Sequence, residues 1–459
     1  MSQQRRPMRL LLREHGSSGG TETVNIHLVE QFTKLVERVV WVMPESRMEF
    51  FQKILPPSDR LIYERPSWPR QTRLPYLLQK ATSFALRRKN LPARATVHKA
   101  RQKLSDRWLQ RLIRRHQITH CFCTWTFCVD VPRLGIPMGA MIMDVRWKHF
   151  PETFPHVDVD MADRQFCDWL RKSSIVFPVS DATASDIRRF YPWHAGTTRV
   201  IPHGAEIARP NGSHSPSFGG ARNGRCIFFY PAAANGHKDH LTLFRACAKL
   251  FRKGFDFELI LTGFGTEFFR DNSLQNRCRT TGEAAVEHAR AFLDEHEQLF
   301  HGRIRPLGYI ERGQVDALYQ TCSAVILPSF FEGFGLPLIE AVQNGATVIC
   351  SDIPAHREQL MRYGCNDQVP LVPPTDHDAL ADEMEKIIME SPRGHPTKRV
   401  RPDVLDKWTW RDVAEAYLDS LAAITEVTTR SRKNEMRMLG SAVPVFASSE
   451  LFDLSSFLF

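Results

Sequence analysis

No run of about 18 uninterrupted apolar residues occurs in the 459-residue chain, which excludes a helix of ordinary apolar composition spanning a bilayer. The opening stretch, MSQQRRPMRLLLREHGSSGG, has three leucines and then Arg13 and Glu14. It lacks the apolar core of a secretory leader, so a cytoplasmic protein is expected. Paired cysteines are also missing. The ten cysteines contain no C-x-x-C, and Cys121 and Cys123 lie in a strand-like run, so they read as small buried hydrophobes rather than a metal site or disulfide framework.

Acidic residues are scarce between positions 51 and 120, where 17 Lys/Arg face 3 Asp/Glu. The whole chain is only +10, so the positive field belongs to this one segment. Within it, LRRKNLPARATVHKARQKLSDRWLQRLIRRH mixes the charges with Leu, Trp and Ile at helical spacing. That suits an acidic surface, such as the anionic inner face of the cytoplasmic membrane or a phosphorylated acceptor. A solvated helix face is the alternative. No recognised nucleic-acid module accompanies the charge, so nucleic acid is not an expected partner.

Lys and Arg are absent from FFEGFGLPLIEAVQNG, residues 330–345, which holds two glutamates, Glu332 and Glu340, in an otherwise apolar, glycine-rich stretch. Gly333 and Gly335 permit a tight turn, Pro337 suits a first helical turn, and the helix is expected to end near Asn344 with Gly345 as its cap. A glycine loop feeding a helix N-terminus presents unpaired N–H groups to a phosphate. Carboxylates beside it make sense as acceptors of sugar hydroxyls. An i+3 or i+4 ion pair is unavailable to Glu340, because its neighbours at those spacings are Leu336, Pro337, Gln343 and Asn344. Glu332 alone would also serve as a helix-dipole partner.

Short apolar runs alternate with amphipathic stretches along most of the chain, which predicts parallel sheets wrapped by helices, an α/β fold. Strands are expected at MRLLLRE, RVVWVMP, THCFCTW, GAMIMD, SSIVFPVS and TRVIPHG, with helices over Thr23–Arg38 and Asp181–Tyr191. A Gly/Pro/Ser/Asn stretch over 205–223 reads as a linker. The alternation then resumes with CIFFYPA, FELILTG, IRPLGYI, SAVILPS and ATVICS. The expected division is an N-terminal domain 1–204, the linker 205–223, a C-terminal domain 224–404, a helix within 405–426 returning towards the N-terminal domain, and a tail 427–459. Two doubly wound domains joined once face each other across a cleft.

These residues resemble family-4 retaining glycosyltransferases, whose GT-B fold has two facing Rossmann-like domains. The resemblance runs from about Arg9 to Leu421 through GSSGGTETVNIHL, VSDATASDIRRFYPWHAGTTRVIPHGAE, FFYPAAANGHKDHLTLFRACAKL, LTGFG and the segment from PLGYIERG to AHREQL. It implies a hexosyl transfer from a nucleotide-diphosphate sugar to a hydroxyl acceptor in polysaccharide, glycolipid or other glycoconjugate synthesis, with no further cofactor and no metal. It further implies that Lys238 holds the donor diphosphate, Glu332 meets the transferred sugar and Glu340 meets the ribose. Phe334, Gly335 and Leu336 would present backbone to the donor, Gly263 falls in LTGFG, and Tyr309 and Ile310 would line the base pocket. Gly19 and Gly20 would approach the diphosphate from the other domain. Without the resemblance, Tyr309 would read as a core aromatic.

Two positions depart from the family pattern. Met143 stands before Asp144 where many members have a histidine near the reacting carbon, and Ala232 stands six residues before Lys238 where many have an arginine. His149 and Arg146 are the candidates to substitute spatially, and Asp144 and His149 are candidate sugar or acceptor contacts. The departures motivate a second reading, a non-catalytic nucleotide-sugar-binding or protein-binding relative. A sugar phosphorylase or epimerase is a further alternative. Asp158–Asp160, DVD, reads as a helix start rather than a metal site.

Overall fold

The computed structural model describes residues 6–13, 20–66, 93–155, 157–204, 225–270, 284–390, 400 and 408–424. Gly19, the 205–223 linker and the 427–459 tail lie outside the described residues, as does the 67–92 part of the basic segment.

Among the described residues, twelve strands build two sheets of six. The first holds β1 (Arg6–Arg13), β2 (Val36–Val42), β3 (Leu61–Glu64), β4 (His120–Cys123), β5 (Met138–Ile142) and β6 (Ile175–Pro178). The second holds β7 (Cys226–Pro231), β8 (Phe257–Thr262), β9 (Ile304–Pro306), β10 (Ala324–Leu327), β11 (Val348–Ser351) and β12 (Leu371–Val372). The orders are β3-β2-β1-β4-β5-β6 and β12-β11-β10-β7-β8-β9, and every pairing is parallel. Parallel neighbours require helical crossovers that cover both faces. Consecutive residues of one strand are accordingly buried: Leu10, Leu11 and Leu12 are all at 1% exposure or less. The fold is a two-domain Rossmann-like GT-B arrangement.

In each sheet the strand order reverses at one point, between β1 and β4 in the first and between β7 and β10 in the second. A crevice opens there beyond the carboxyl ends of the strands, where such folds bind ligands. The chain leaving β7 runs into Lys238 and the chain leaving β10 runs into Glu332, so these residues flank the second crevice.

The helix over 410–424 packs on the first sheet although it follows the second in sequence. Tyr417 sets its ring 4.7 Å from that of Phe122 and 4.9 Å from that of Phe177. All three are buried, and each such side chain contributes about 1.5–3 kcal/mol of apolar transfer free energy.

Several elements differ from the pattern reading. TRVIPHG runs beside β6, with Arg199 N donating to the Val176 carbonyl at 3.1 Å and Ile201 N to the Pro178 carbonyl at 3.1 Å, but it forms one bridge, Val176 with Thr198, because Pro178 lacks the N–H that would complete the next. IRPLGYI contributes a strand only over Ile304–Pro306, and Gly308 turns the chain with φ of 71°. The first helix is Gly20–Leu35, after which Val36 already starts β2. The short edge strands β3 and β12 are additional.

Candidate active site

Lys238 closes a single 3-10 turn, Gly236–Lys238, and Asp239 follows with φ of 51° in the left-handed region that Asp tolerates better than most residues. The Asp239 side chain accepts from Thr242 N at 3.2 Å and caps the helix His240–Arg252. The Tyr230 hydroxyl donates to the Lys238 carbonyl at 2.5 Å and fixes the turn against β7. Held in this way, the ammonium meets Glu332 Oε1 at 2.5 Å, with the two side chains only 13% and 12% exposed. Burial would push the Glu332 carboxyl up, but the Lys238 charge and hydrogen bonds from Lys238 and Ser329 outweigh it. The group sits below its ordinary value and is ionised at neutral pH.

The glycine loop is clamped from the N-terminal half of the molecule. Ser180 Oγ donates to the Gly333 carbonyl at 2.6 Å and Thr183 Oγ1 donates to it at 3.2 Å. A Cβ at Gly333 would lie 1.9 Å from the Met143 carbonyl oxygen and 3.0 Å from Asp144 Cβ, so only glycine fits beneath this carbonyl. Gly335, with φ of 90°, caps the helix Leu336–Gln343, and Pro337 lies in its first turn. Phe334 is buried edge-on against His203 with centroids 4.7 Å apart. Leu336 faces Gly20 across the cleft: a Cβ at Gly20 would lie 3.3 Å from Leu336 Cδ1. His356 is buried under this loop, and its Nδ1–H donates to the Ser351 carbonyl at 2.8 Å.

Glu340 is not unpaired. Arg312 Nη1 donates to its Oε1, and the Tyr319 hydroxyl donates to its Oε2 at 3.0 Å. The partners come from the adjacent helix Arg312–Thr321, which the i+3/i+4 argument did not consider. Arg312 also bridges to Asp316 at 2.9 Å, one turn along its own helix.

Tyr309 is not a core aromatic: it is 62% exposed, and its hydroxyl donates to Glu22 Oε1 at 3.1 Å across the cleft. Glu22 in turn holds Arg47 at 2.8 Å. Ile310 packs half-buried on the core. Gly263, with φ of 127°, lets β8 pass the chain after β7, since a Cβ there would lie 2.6 Å from the Ala232 carbonyl carbon. Its place in this structure is a close backbone approach.

Asp144 lies at the loop and accepts from Arg146 N at 2.9 Å. His149 Nε2 meets Asp186 Oδ2 at 2.9 Å, and its ring lies 5.2 Å from that of Phe331, beside Glu332 in sequence. Asp158 of the DVD run caps the helix Val159–Lys172, accepting from Met161 N at 3.0 Å. Lys238, Glu332, Phe334, Gly335, Leu336, Gly20 and Asp144 therefore converge on one stretch of cleft, whereas Glu340 lies one helical turn away with Arg312 and Tyr319.

Residues 217–400 match the family described as glycosyl transferases group 1. The match contains the Lys238 turn, the glycine loop and both glutamates. The matched residues make up about two-fifths of the chain. Among curated relatives, the O-antigen chain mannosyltransferase B of Escherichia coli is 30% identical over 115 residues, 25% of this chain and 24% of the relative. The serotype-specific mannosyltransferase WbdA of Escherichia coli is 27% identical over 305 residues, 62% of this chain and 34% of the relative. The matches thus span about a quarter to a third of the length of those relatives. The solved structure of the trehalose-6-phosphate synthase OtsA superposes with a TM-score of 0.60 at 13% identity, over 90% of this chain and 99% of that one, a likeness of fold. The additions to the residues singled out from sequence are Arg312 and Tyr319 on Glu340, within the matched segment, and Ser180 and Thr183 on the glycine loop, from the N-terminal half. Ser180 also caps the helix Asp181–Phe190, accepting from Thr183 N at 3.0 Å.

Proposed function

We propose that the protein is a retaining glycosyltransferase that moves a hexosyl group from a nucleotide-diphosphate sugar to a hydroxyl acceptor. The observation that carries this is the Lys238–Glu332 pair, set at the strand-order reversal beneath a glycine loop at a helix N-terminus. In the free protein each charge neutralises the other. A donor diphosphate would draw the Lys238 ammonium to itself and release Glu332 to accept from sugar hydroxyls. Lys238 and the loop N–H groups then stabilise the charge that develops on the leaving diphosphate. Transfer runs on one face of the sugar through an oxocarbenium-like state: the bond from the anomeric carbon to the diphosphate breaks, the acceptor oxygen bonds to that carbon, and its proton passes to a diphosphate oxygen. Glu340 reads the ribose hydroxyls by exchanging them for Arg312 and Tyr319.

The names of the mannosyltransferase relatives make mannose the first sugar to try, in the synthesis of a polysaccharide or other glycoconjugate. The acceptor is proposed to lie at an anionic membrane surface. Supporting this, the helix Ala93–His116 exposes Lys103, Arg107, Arg111 and Arg114 while burying Leu109 and Leu112. No described helix is long and apolar enough to cross a membrane.

The reading is tested by following nucleoside diphosphate released from UDP-, GDP- and ADP-hexoses, with and without EDTA, and by resolving the product anomer by NMR. Turnover of one donor, insensitive to EDTA and with the donor's anomeric configuration kept, is expected. No release from any donor would favour the non-catalytic reading, and an inverted product would contradict the same-face mechanism.

A further inference from the structure

We propose that Arg146 supplies, from the N-terminal half, the second cation that faces the donor diphosphate at the Lys238 turn. The proposal rests on the nucleotide-sugar reading above. Ala232 is 6% exposed and presents only a methyl group where the resemblance leads one to expect an arginine. Arg146 opens the short helix that follows β5 and leans across the cleft instead. Its Nη1 donates to Nδ1 of His237, the residue immediately before Lys238. Its guanidinium lies 4.5 Å over the Phe154 ring, and its backbone N–H is fixed by Asp144. The His237 carbonyl accepts from Phe330 N at 3.0 Å, so the turn that Arg146 touches is itself tied to the loop carrying Glu332.

Arg146 Nε is buried with no hydrogen-bond partner among the described residues. A guanidinium can only donate, and a buried donor left unmade is a penalty that an anion would relieve. Lys238 offers a point charge, whereas a guanidinium offers a planar fork that grips two phosphate oxygens at once. The two cations come from opposite halves, so the diphosphate would bridge them. A diphosphate would therefore hold the cleft closed in a way that a monophosphate lacking the second phosphoryl group would not.

The test is calorimetric titration of UDP, GDP and ADP, each beside its monophosphate, into the wild type, Arg146→Gln and Arg146→Lys. For the diphosphate that binds, Arg146→Gln is expected to raise Kd about tenfold or more while changing the monophosphate Kd less than about threefold, the signature of one lost charge-assisted contact. A structural role alone would weaken both nucleotides alike, and that result, or no change in either, overturns the proposal. Should the glutamine variant fail to fold, Arg146→Lys decides. It should raise the diphosphate Kd by about two- to fivefold with the monophosphate unchanged, since the charge stays and the fork is lost; equal changes overturn it. Wild type that binds no diphosphate removes the donor-site reading as well, whereas normal binding unaffected by Arg146 removes this inference alone.

Discussion

Lys238→Ala is expected to lower kcat/KM by about 10²–10³-fold, the scale of losing a donor that stabilises charge developing in the transition state. It is also expected to destabilise the fold by about 3 kcal/mol, because Glu332 is left as an uncompensated buried carboxylate. The two effects separate by pH and by a second substitution. In the wild type the folded Glu332 carboxyl is held below its ordinary 4.5, so the pair's contribution is present above that value and is lost as pH falls through the lowered one. In Lys238→Ala burial, the largest influence, is opposed only by His356 and the Ser329 hydrogen bond, so the carboxyl rises. The variant should therefore be least destabilised at acid pH and lose stability as pH rises through the raised value. Thermal melts between pH 4 and pH 8 should show these opposite trends. Lys238→Ala/Glu332→Ala should recover most of the lost stability at neutral pH and none of the activity, since a neutral pair leaves no buried charge. Recovery of both would remove the pair from catalysis.

Gly333→Ala is expected to cost about 100-fold in kcat with little change in melting temperature. The added methyl would lie 1.9 Å from the Met143 carbonyl oxygen. Loop and carbonyl must therefore part by roughly 1 Å, a displacement that is enough to spoil a near-attack geometry. The Ser180 and Thr183 hydrogen bonds to the Gly333 carbonyl would lengthen with it. Steady-state kinetics and small-angle scattering together check this: the variant should be slow and its cleft more open. Wild-type kcat would show that the Met143 contact has no part in turnover.

Much of this architecture is legible in the sequence because parallel strands buried on both faces read as short apolar runs, and the runs alternate with amphipathic ones. The elements that escape are those with the weakest pattern, such as β12 with two residues and β3 with every residue half-exposed. The glutamates of FFEGFGLPLIEAVQNG pose the harder problem. The cations that answer them stand 94 residues away for Glu332 and 28 for Glu340. Nothing local encodes either pairing, because it depends on which strands become neighbours. The family resemblance points to Lys238 but not to Arg312. The contacts between the halves are less legible still. Ser180 to Gly333 spans 153 residues and Arg146 to His237 spans 91, and both arise only once two separately folded sheets have docked.

The most direct test of the central claim is a thermal-shift panel of UDP, GDP, ADP and their common sugar conjugates, run on the wild type and on Glu340→Ala. A ligand that binds only the native state raises the midpoint by mass action, by about 2.7 kcal/mol of stabilisation at a hundred times its Kd. The account predicts a shift with one nucleotide family that Glu340→Ala abolishes. No shift with any nucleotide, or a shift that Glu340→Ala leaves intact, would contradict it.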